Sequence, residues 1–181
     1  TMNAALAQGK HLLLTPGVYH LDAPLSVTKP GTVVLGLGLA TLLPDQGTEA
    51  MLVDDVDGVS ISGIILEAGK KESPLLLRLG TAGASADHAK NPSALFDVSC
   101  RVGGAIAGTT KQCVVIESDD VIADNVWMWR ADHGTGAEWG VNRSKNGFIV
   151  NGDDVTAYGL FVEHFQEYQT LWNGERGRAS C

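Results

Sequence analysis

The sequence predicts an all-β fold, a solenoid of short strands that stack coil upon coil. Its main support is a repeated pattern, DGVSISGIILEA, DDVIADNVWMWR and DDVTAYGLFVEH, at residues 57–68, 119–130 and 153–164. The offsets of 62 and then 34 residues correspond to about two coils and then one coil, each of roughly 31–34 residues. Because glycine, asparagine or aspartate bounds most of the short apolar segments, strands fit this repeat better than pairs of helices.

The composition agrees with a turn-rich β protein. The chain has 181 residues, of which 44% are hydrophobic, only 19% are charged and 22 are glycine. A chain of this length is normally one domain with its own core, and glycine supplies the backbone freedom that tight turns require. We therefore expect residues 1–181 to form a single β-solenoid segment.

Charge and hydropathy exclude several classes of partner. The formal net charge is −8 and the isoelectric point is near 4.9, whereas nucleic-acid binding needs a basic face. No run of 18 apolar residues predicts a membrane span. Two cysteines, Cys100 and Cys113, are close enough in sequence for neighbouring coils to bring together. A disulfide formed in an oxidising compartment and two buried thiols both remain open for them.

One short helix is expected at the start of the chain. Met2 and Leu6 share a helical face and Gly9 can end the helix. A helix at this place would cap the open end of the solenoid.

Strands and loops then alternate along the chain. Residues 11–27 and 32–44 contain strand-like runs, separated and ended by prolines and glycines. The polar, small residues 81–93 predict a loop that projects from the stack, and a second loop is expected at 132–146. The strand-like segments continue as far as residues 168–174.

Alternation within the repeats decides which side chains face outward. Val121 and its equivalents face the core, and Gly63, Asn125 and Gly159 occupy a bend that needs a left-handed backbone. Residues at equal positions in successive coils should therefore lie side by side, so that positions near 60, 122 and 156 form equivalent rungs of one ladder.

Two tryptophans are expected on this outward face. Trp127 and Trp129 flank an inward methionine, so both indoles should point outward and offer a platform for sugar rings, unless a loop covers them. The alignment places Trp129 beside Glu163 and Arg130 beside His164. We expect Arg130 and His164 to bind hydroxyl groups or to pair with neighbouring acids.

Longer stretches resemble a known family. Residues 4–27, 124–134 (DNVWMWRADHG) and 151–174 resemble the right-handed parallel β-helix of the pectate-lyase-like superfamily. The narrower resemblance, over residues 124–174, is to the bacterial α-1,3-glucanases known as mycodextranases. It implies a secreted domain that degrades a polysaccharide. Since those domains have more coils, it also implies that the chain is a segment of a longer parent domain.

The resemblance also implies catalytic residues. Asp132 in RADHG and the pair Asp153 and Asp154 in NGDDV match the aspartates of an inverting glycoside hydrolase. His133 and Glu163 are expected to bind substrate with the two tryptophans, Arg130 and His164. Aspartates recur at the positions of Asp153 and Asp154 one coil earlier, so turn capping also remains open for that pair.

Three functions follow from these residues, in order of preference. The first is a polysaccharide hydrolase without a cofactor, since no tight metal-ligand spacing is present. A polysaccharide lyase would need calcium on clustered aspartates and a base, for which Arg130 is the placed candidate. The third is a non-catalytic glycan-binding or structural segment. In each case the expected partner is a polysaccharide, and the open ends of the solenoid could self-associate.

Overall fold

The computed structural model describes residues 1–135 and 137–181, and these residues are nearly all β. Within them one α-helix, α1, spans Met2–Ala7. The strands are, in chain order, β1 (Leu12–Leu14), β2 (Val18–Leu21), β3 (Leu25–Val27), β4 (Val33–Pro44), β5 (Met51–Val53), β6 (Ser60–Glu67), β7 (Leu77–Leu79), β8 (Ala94–Phe96), β9 (Ser99–Val102), β10 (Gln112–Ile116), β11 (Ile122–Arg130), β12 (Asn146–Val150), β13 (Thr156–Glu163), β14 (Tyr168–Trp172) and β15 (Arg178–Ala179). No helix in these two ranges is long and apolar enough to cross a membrane.

The strands form two sheets, and all the pairs within the described ranges are parallel. Sheet A has the order β1-β4-β6-β8-β11-β13-β15, with β2 beside β4 and β9 between β6 and β11. Sheet B has the order β14-β12-β10-β7-β5-β3. The chain passes back and forth between the two sheets and adds to each sheet in turn, as expected of a parallel β-helix.

The register of sheet A confirms the predicted ladder. Ser60 pairs with Ala94, Ala94 with Ile122, and Ile122 with Thr156. The intervals are 34, 28 and 34 residues, so two coils separate the first two copies of the repeat, as their offset predicts. The coil that begins at Ala94 lies between them, although its sequence does not show the repeat.

A residue with a left-handed backbone conformation bends each strand of the ladder at the same position. Gly63, Asn125 and Gly159 have φ angles of 66°, 54° and 56°, as the sequence predicts, and Asp97 of the intervening coil has 51°. Glycine is required at Gly63, since an added Cβ would lie 2.5 Å from the carbonyl oxygen of Gly36. This bend turns the second half of each strand and aims its outward side chains.

The core lies between the sheets and is closed at one end by α1. Leu6 of α1 is 1% exposed, and the Asn3 side chain donates to the carbonyl of Pro24 and accepts from the N–H of Ser26. The predicted capping helix is therefore confirmed. Between the sheets, Cys100 of β9 and Cys113 of β10 form a disulfide that crosses the core.

The 81–93 loop does not simply project from the stack, because His88 anchors it. This side chain is 4% exposed. Its Nε2 atom lies 2.9 Å from Asp55 Oδ1, and its Nδ1 atom lies 2.6 Å from Asp57 Oδ1. Its backbone N–H donates to Asp120 Oδ2. His88 therefore ties the loop to the turn before β6 through its imidazole and to the turn before β11 through its backbone N–H.

The carboxylates determine the charge of His88. Burial by itself would lower the pKa of this histidine, but the hydrogen bonds with Asp57 and Asp55 outweigh burial and raise the pKa. Burial would likewise raise the pKa of Asp55, but hydrogen bonds from Ser118 and His88 lower it. The stabilised state of His88 is thus the imidazolium.

We predict that Gly63→Ala destabilises the protein more than Gly159→Ala. Both positions have left-handed backbones, which disfavour alanine by about 1–2 kcal/mol. At Gly159 an added Cβ has its nearest neighbour 3.4 Å away, whereas at Gly63 it collides with the backbone of the preceding coil. The free energy of unfolding, measured in urea, should fall by roughly a further 1–3 kcal/mol in Gly63→Ala. Equal losses in the two variants would contradict a role for this close approach.

We predict that His88 stabilises the protein in a pH-dependent way. Because its pKa is raised on folding, its contribution is fully present below the ordinary histidine pKa of about 6.5. The contribution is lost as the pH rises through the raised value. The difference in unfolding free energy between the native protein and His88→Gln should therefore be smaller at pH 9 than at pH 6. His20→Gln removes an exposed Asp45 contact and is the matched control. If the difference in unfolding free energy between the native protein and His88→Gln increased with pH, the pKa of His88 would not be raised on folding.

Candidate functional site

The outward side chains of sheet A form two adjacent files that run across the strands. The first file contains Glu67, Arg101, Trp129 and Glu163, and the second contains Ile65, Ser99, Trp127 and Phe161. Neighbours in a file lie on adjacent strands, which are about 4.8 Å apart. The predicted file of Glu67, Trp129 and Glu163 is thus present, with Arg101 of the intervening coil inserted between the first two.

The two tryptophans face outward, as the alternation predicts. Trp127 is 46% exposed and Trp129 is half-buried, and their ring centroids are 6.1 Å apart. The indole N–H of Trp127 donates to Glu163 Oε1 at 2.8 Å. The ring of Trp129 packs against Gly104, where an added Cβ would lie 2.8 Å from it. Trp127 therefore presents an open ring surface and also positions a carboxylate.

Asp132 joins the turn after β11 to the turn after β13. Its Oδ1 atom lies 2.6 Å from His133 Nδ1, and its Oδ2 atom lies 3.0 Å from His164 Nδ1. The other nitrogen of His164 lies 3.6 Å from Glu163 Oε2. A single imidazole ring thus separates two carboxylates. We call Trp127, Asp132, His133, Glu163 and His164 the Asp132 cluster.

The neighbours of Asp132 keep it ionised. The hydrogen bond from His133 is the main reason that the pKa of Asp132 is lowered, and the charges of His164 and Arg130 act in the same direction against burial. A carboxyl group with a lowered pKa is a poor general acid at neutral pH but can act as a base or orient the imidazoles.

Three residues of this cluster also have the geometry of a metal site. Asp132, His133 and His164 each offer one ligand atom, and these atoms lie within 4.8 Å of one another. Each imidazole Nδ1 also faces a different oxygen of Asp132, so a hydrogen bond with His133 and an ion-pair contact with His164 account for the arrangement. The absence of a metal cofactor stays a prediction.

Arg130 is buried and cannot reach a substrate hydroxyl, so that part of its predicted role is wrong, but its charge lowers the pKa of Asp132, as the alternative expects. The residue is fully buried, and burial lowers the pKa of its guanidinium. It donates to the backbone carbonyls of His164, Trp139 and Asn142, and its guanidinium carbon lies 4.4 Å from the ring centroid of Trp139. The alternation that turns Met128 inward also turns Arg130 inward, so the sequence did contain this signal. Arg130 instead holds the turns that carry the Asp132 cluster.

The structure does not bring Asp153 and Asp154 to this cluster. They precede β13, whereas Asp132 follows β11, and these strands are parallel neighbours. A strand of eight residues separates the two ends by roughly 25 Å. The predicted catalytic group of Asp132, Asp153 and Asp154 is therefore wrong.

Asp153 and Asp154 are turn caps, the role that the sequence left open. Asp153 Oδ1 accepts from the N–H of Glu175, and both carboxylate oxygens of Asp154 accept from Arg176. The N–H of Asp153 donates in turn to Asp119 Oδ1 of the preceding coil. These contacts tie three successive turns together.

A buried ion pair on the same face was missed by the sequence analysis. Glu67 is 3% exposed and accepts two hydrogen bonds from Arg101, at 3.1 Å and 2.7 Å. Arg101 belongs to the coil in which the repeat is not visible, and this explains the omission.

Comparison with known proteins agrees with the fold. A family model described as the LAM55 pectate lyase-like domain matches residues 1–180. An exo-β-1,3-glucanase of Streptomyces sp. (strain SirexAA-E / ActE) is 52% identical over 178 residues, which are 98% of this chain and 29% of that protein. The solved structure of sacteLam55A from Streptomyces sp. SirexAA-E has a TM-score of 0.96 and 51% identity. A variant of it in complex with glucose gives the same values. The chain covers 32% of each of these structures.

We predict that Arg130→Met destabilises the protein strongly. The substitution keeps most of the buried volume but leaves three carbonyl groups without their charged donor, at a cost of about 3 kcal/mol or more. Thermal and urea unfolding should show this loss, whereas Arg143→Met, at an exposed position of the same loop, should be nearly neutral. Equal stability of the two variants would show that Arg130 does not hold these turns.

Proposed function

The chain belongs to the family of LAM55 pectate lyase-like domains, and from this premise we propose that it is part of a glycoside hydrolase acting on a β-1,3-glucan. The relative named exo-β-1,3-glucanase supports this substrate. Because the chain spans less than a third of that relative, the activity of the whole protein is part of the proposal. The observation that carries it is the Asp132 cluster, in which two carboxylates flank one imidazole beside an exposed indole.

The substrate proposed here is a β-glucan and not the α-1,3-glucan of the mycodextranases. The resemblance to mycodextranases is not confirmed by the comparisons, in which the one glucan linkage named is β-1,3. What supports the wider assignment is the family match over residues 1–180 together with the two parallel sheets. We also infer a right-handed solenoid, because crossovers between parallel strands of one sheet are right-handed in almost all proteins.

Binding of the glucan is assigned to the aromatic side of the cluster. A sugar ring presents C–H groups on its faces, and these pack well on the exposed ring of Trp127. His133 is 79% exposed and His164 is 34% exposed, so both imidazoles can reach hydroxyl groups. Glu163, held by the Trp127 indole, then lies at the edge of the bound ring.

Hydrolysis is assigned to Asp132 and Glu163. A glycosidase needs one carboxyl group as acid and another as base or nucleophile. The lowered pKa of Asp132 suits the base that activates water, which leaves Glu163 as the partner. Inverting enzymes keep the two groups about 6.5–9.5 Å apart. In this structure the His164 ring lies between the two carboxylates and contacts both.

The base predicted for the lyase alternative is not exposed on this face. Arg130 was the candidate, but it is buried and donates to backbone carbonyls, so it cannot remove a proton from a sugar. The non-catalytic alternative remains a second candidate, because Asp153 and Asp154 cap turns and take no part in the cluster. We also propose that the protein is secreted, and the Cys100–Cys113 disulfide supports an oxidising compartment.

We predict that Asp132→Asn lowers glucan hydrolysis by about 100-fold or more, because it removes the ionised carboxylate from the cluster. Asp154→Asn is the matched control, since that residue is a turn cap, and its rate should stay within about threefold of the native rate. The measurement is glucose release from a β-1,3-glucan by the complete protein, with and without a chelator. Both rates should be unchanged by the chelator. A fully active Asp132→Asn would refute the assignment, and binding of glucan without any cleavage would favour the non-catalytic alternative.

A further inference from the structure

A second cavity opens on the outward face of sheet A, away from the Asp132 cluster. Its volume is about 650 Å³, within the range of about 300–1,000 Å³ that small-molecule sites occupy. Its lining includes Val18, Leu43 and Ile106 as apolar side chains and Glu67, Lys70 and Arg101 as charged side chains. Glu67 and Arg101 belong to the first file described above, but no residue of the Asp132 cluster lines the cavity.

The strand register places the cavity and the Asp132 cluster in one groove. Arg101, which lines the cavity, pairs with Trp129, and Trp129 pairs with Glu163 of the cluster. Arg101 and Glu163 are therefore two strands apart, roughly 10 Å. His20 and Leu43, which also line the cavity, pair with each other further along the same face. The groove runs along the stacking direction, with the Trp129 ring between its two halves.

The cavity contains two acid–base pairs, and Lys70 and Lys71 also line it. Glu67 is buried and binds Arg101 through two hydrogen bonds, and Asp45 lies 2.8 Å from His20. The Glu67–Arg101 pair adds no net charge, and the ammonium groups of Lys70 and Lys71 supply N–H donors for hydroxyl groups. The Arg101 guanidinium has N–H donors beyond the two that bind Glu67, and these can donate to hydroxyl groups.

The apolar side chains complete a surface that suits a neutral sugar. Val18 is 55% exposed and Ile106 is 37% exposed, so both are available to a ligand. Sugar rings combine apolar C–H faces with a rim of hydroxyl groups, and the lining of this cavity combines apolar and charged side chains. A neutral sugar can therefore pack against the apolar side chains and form hydrogen bonds with the charged ones.

We propose that the cavity is a remote glucan subsite, which binds the sugar units that extend past Trp129 when the Asp132 cluster holds another part of the same chain. This inference rests on the proposed function, because it takes a β-1,3-glucan as the ligand. It adds a dependence on chain length, since a short oligosaccharide fills the cluster alone and a longer one fills both halves of the groove.

The test compares oligosaccharide lengths in the complete protein. Dissociation constants are measured by calorimetry for β-1,3-gluco-oligosaccharides from the disaccharide to the hexasaccharide. Ile106→Asp should weaken the longest oligosaccharides about tenfold and leave the disaccharide unchanged, because it replaces an apolar wall of the cavity with a hydrated charge. Val18→Asp, on a different strand, should give the same result. Leu13→Asp alters an exposed leucine that does not line the cavity and should have no effect.

The other outcomes distinguish a failure of this inference from a failure of the proposed function. If affinity does not increase with length, or if both cavity variants leave the long oligosaccharides unaffected, the subsite does not exist. If short and long oligosaccharides weaken equally, the cavity is not a separate subsite. Preferential binding of oligogalacturonates would show an anion site and overturn the neutral-sugar assignment. Failure of the native protein to bind any β-1,3-glucan would refute the proposed function itself, and this inference with it.

Discussion

The hydrogen-bonded ladder between successive coils is the constraint on which the rest of the structure depends. A single coil leaves the N–H and C=O groups of its strand edges unpaired, and only the coils on either side can satisfy them. The coils must therefore stay in register, rung against rung, although their lengths differ. Extra residues are accommodated in the turns, where they do not disturb the parallel pairs of the two sheets.

Register turns a local pattern into a functional surface. Arg101, Trp129 and Glu163 are about 30 residues apart in sequence, yet they are neighbours because their strands pair directly. Each contributes one chemical property, a donor, an apolar ring or a carboxylate, at intervals of about 4.8 Å along the groove. Such spacing suits a polymer that lies along the stack and contacts several coils at once.

Buried cations hold the parts of the chain that the ladder does not reach. His88 ties the 81–93 loop to the turns before β6 and β11, and Arg130 gathers three carbonyl groups beneath the Asp132 cluster. Both cations are nearly or fully buried, so both depend on their partners. The cluster thus stands on a rigid support, as a binding site that must orient several polar side chains requires.

The sequence by itself determined the all-β class, the offset of the repeats, the left-handed bends and the outward tryptophans. Each of these follows from alternation or from turn residues within one coil, so neighbours in sequence carry the information. Only the tertiary structure decided that Asp132 lies far from Asp153 and Asp154, that Arg130 is buried and that Arg101 joins the file. The reason is physical. Two strands in adjacent coils pair along their whole length, so residues that flank them can lie at the same end of the strands or at opposite ends. The sequence says that two residues lie in neighbouring coils, whereas the path of the backbone decides at which end of a strand they lie and which partner each charge meets.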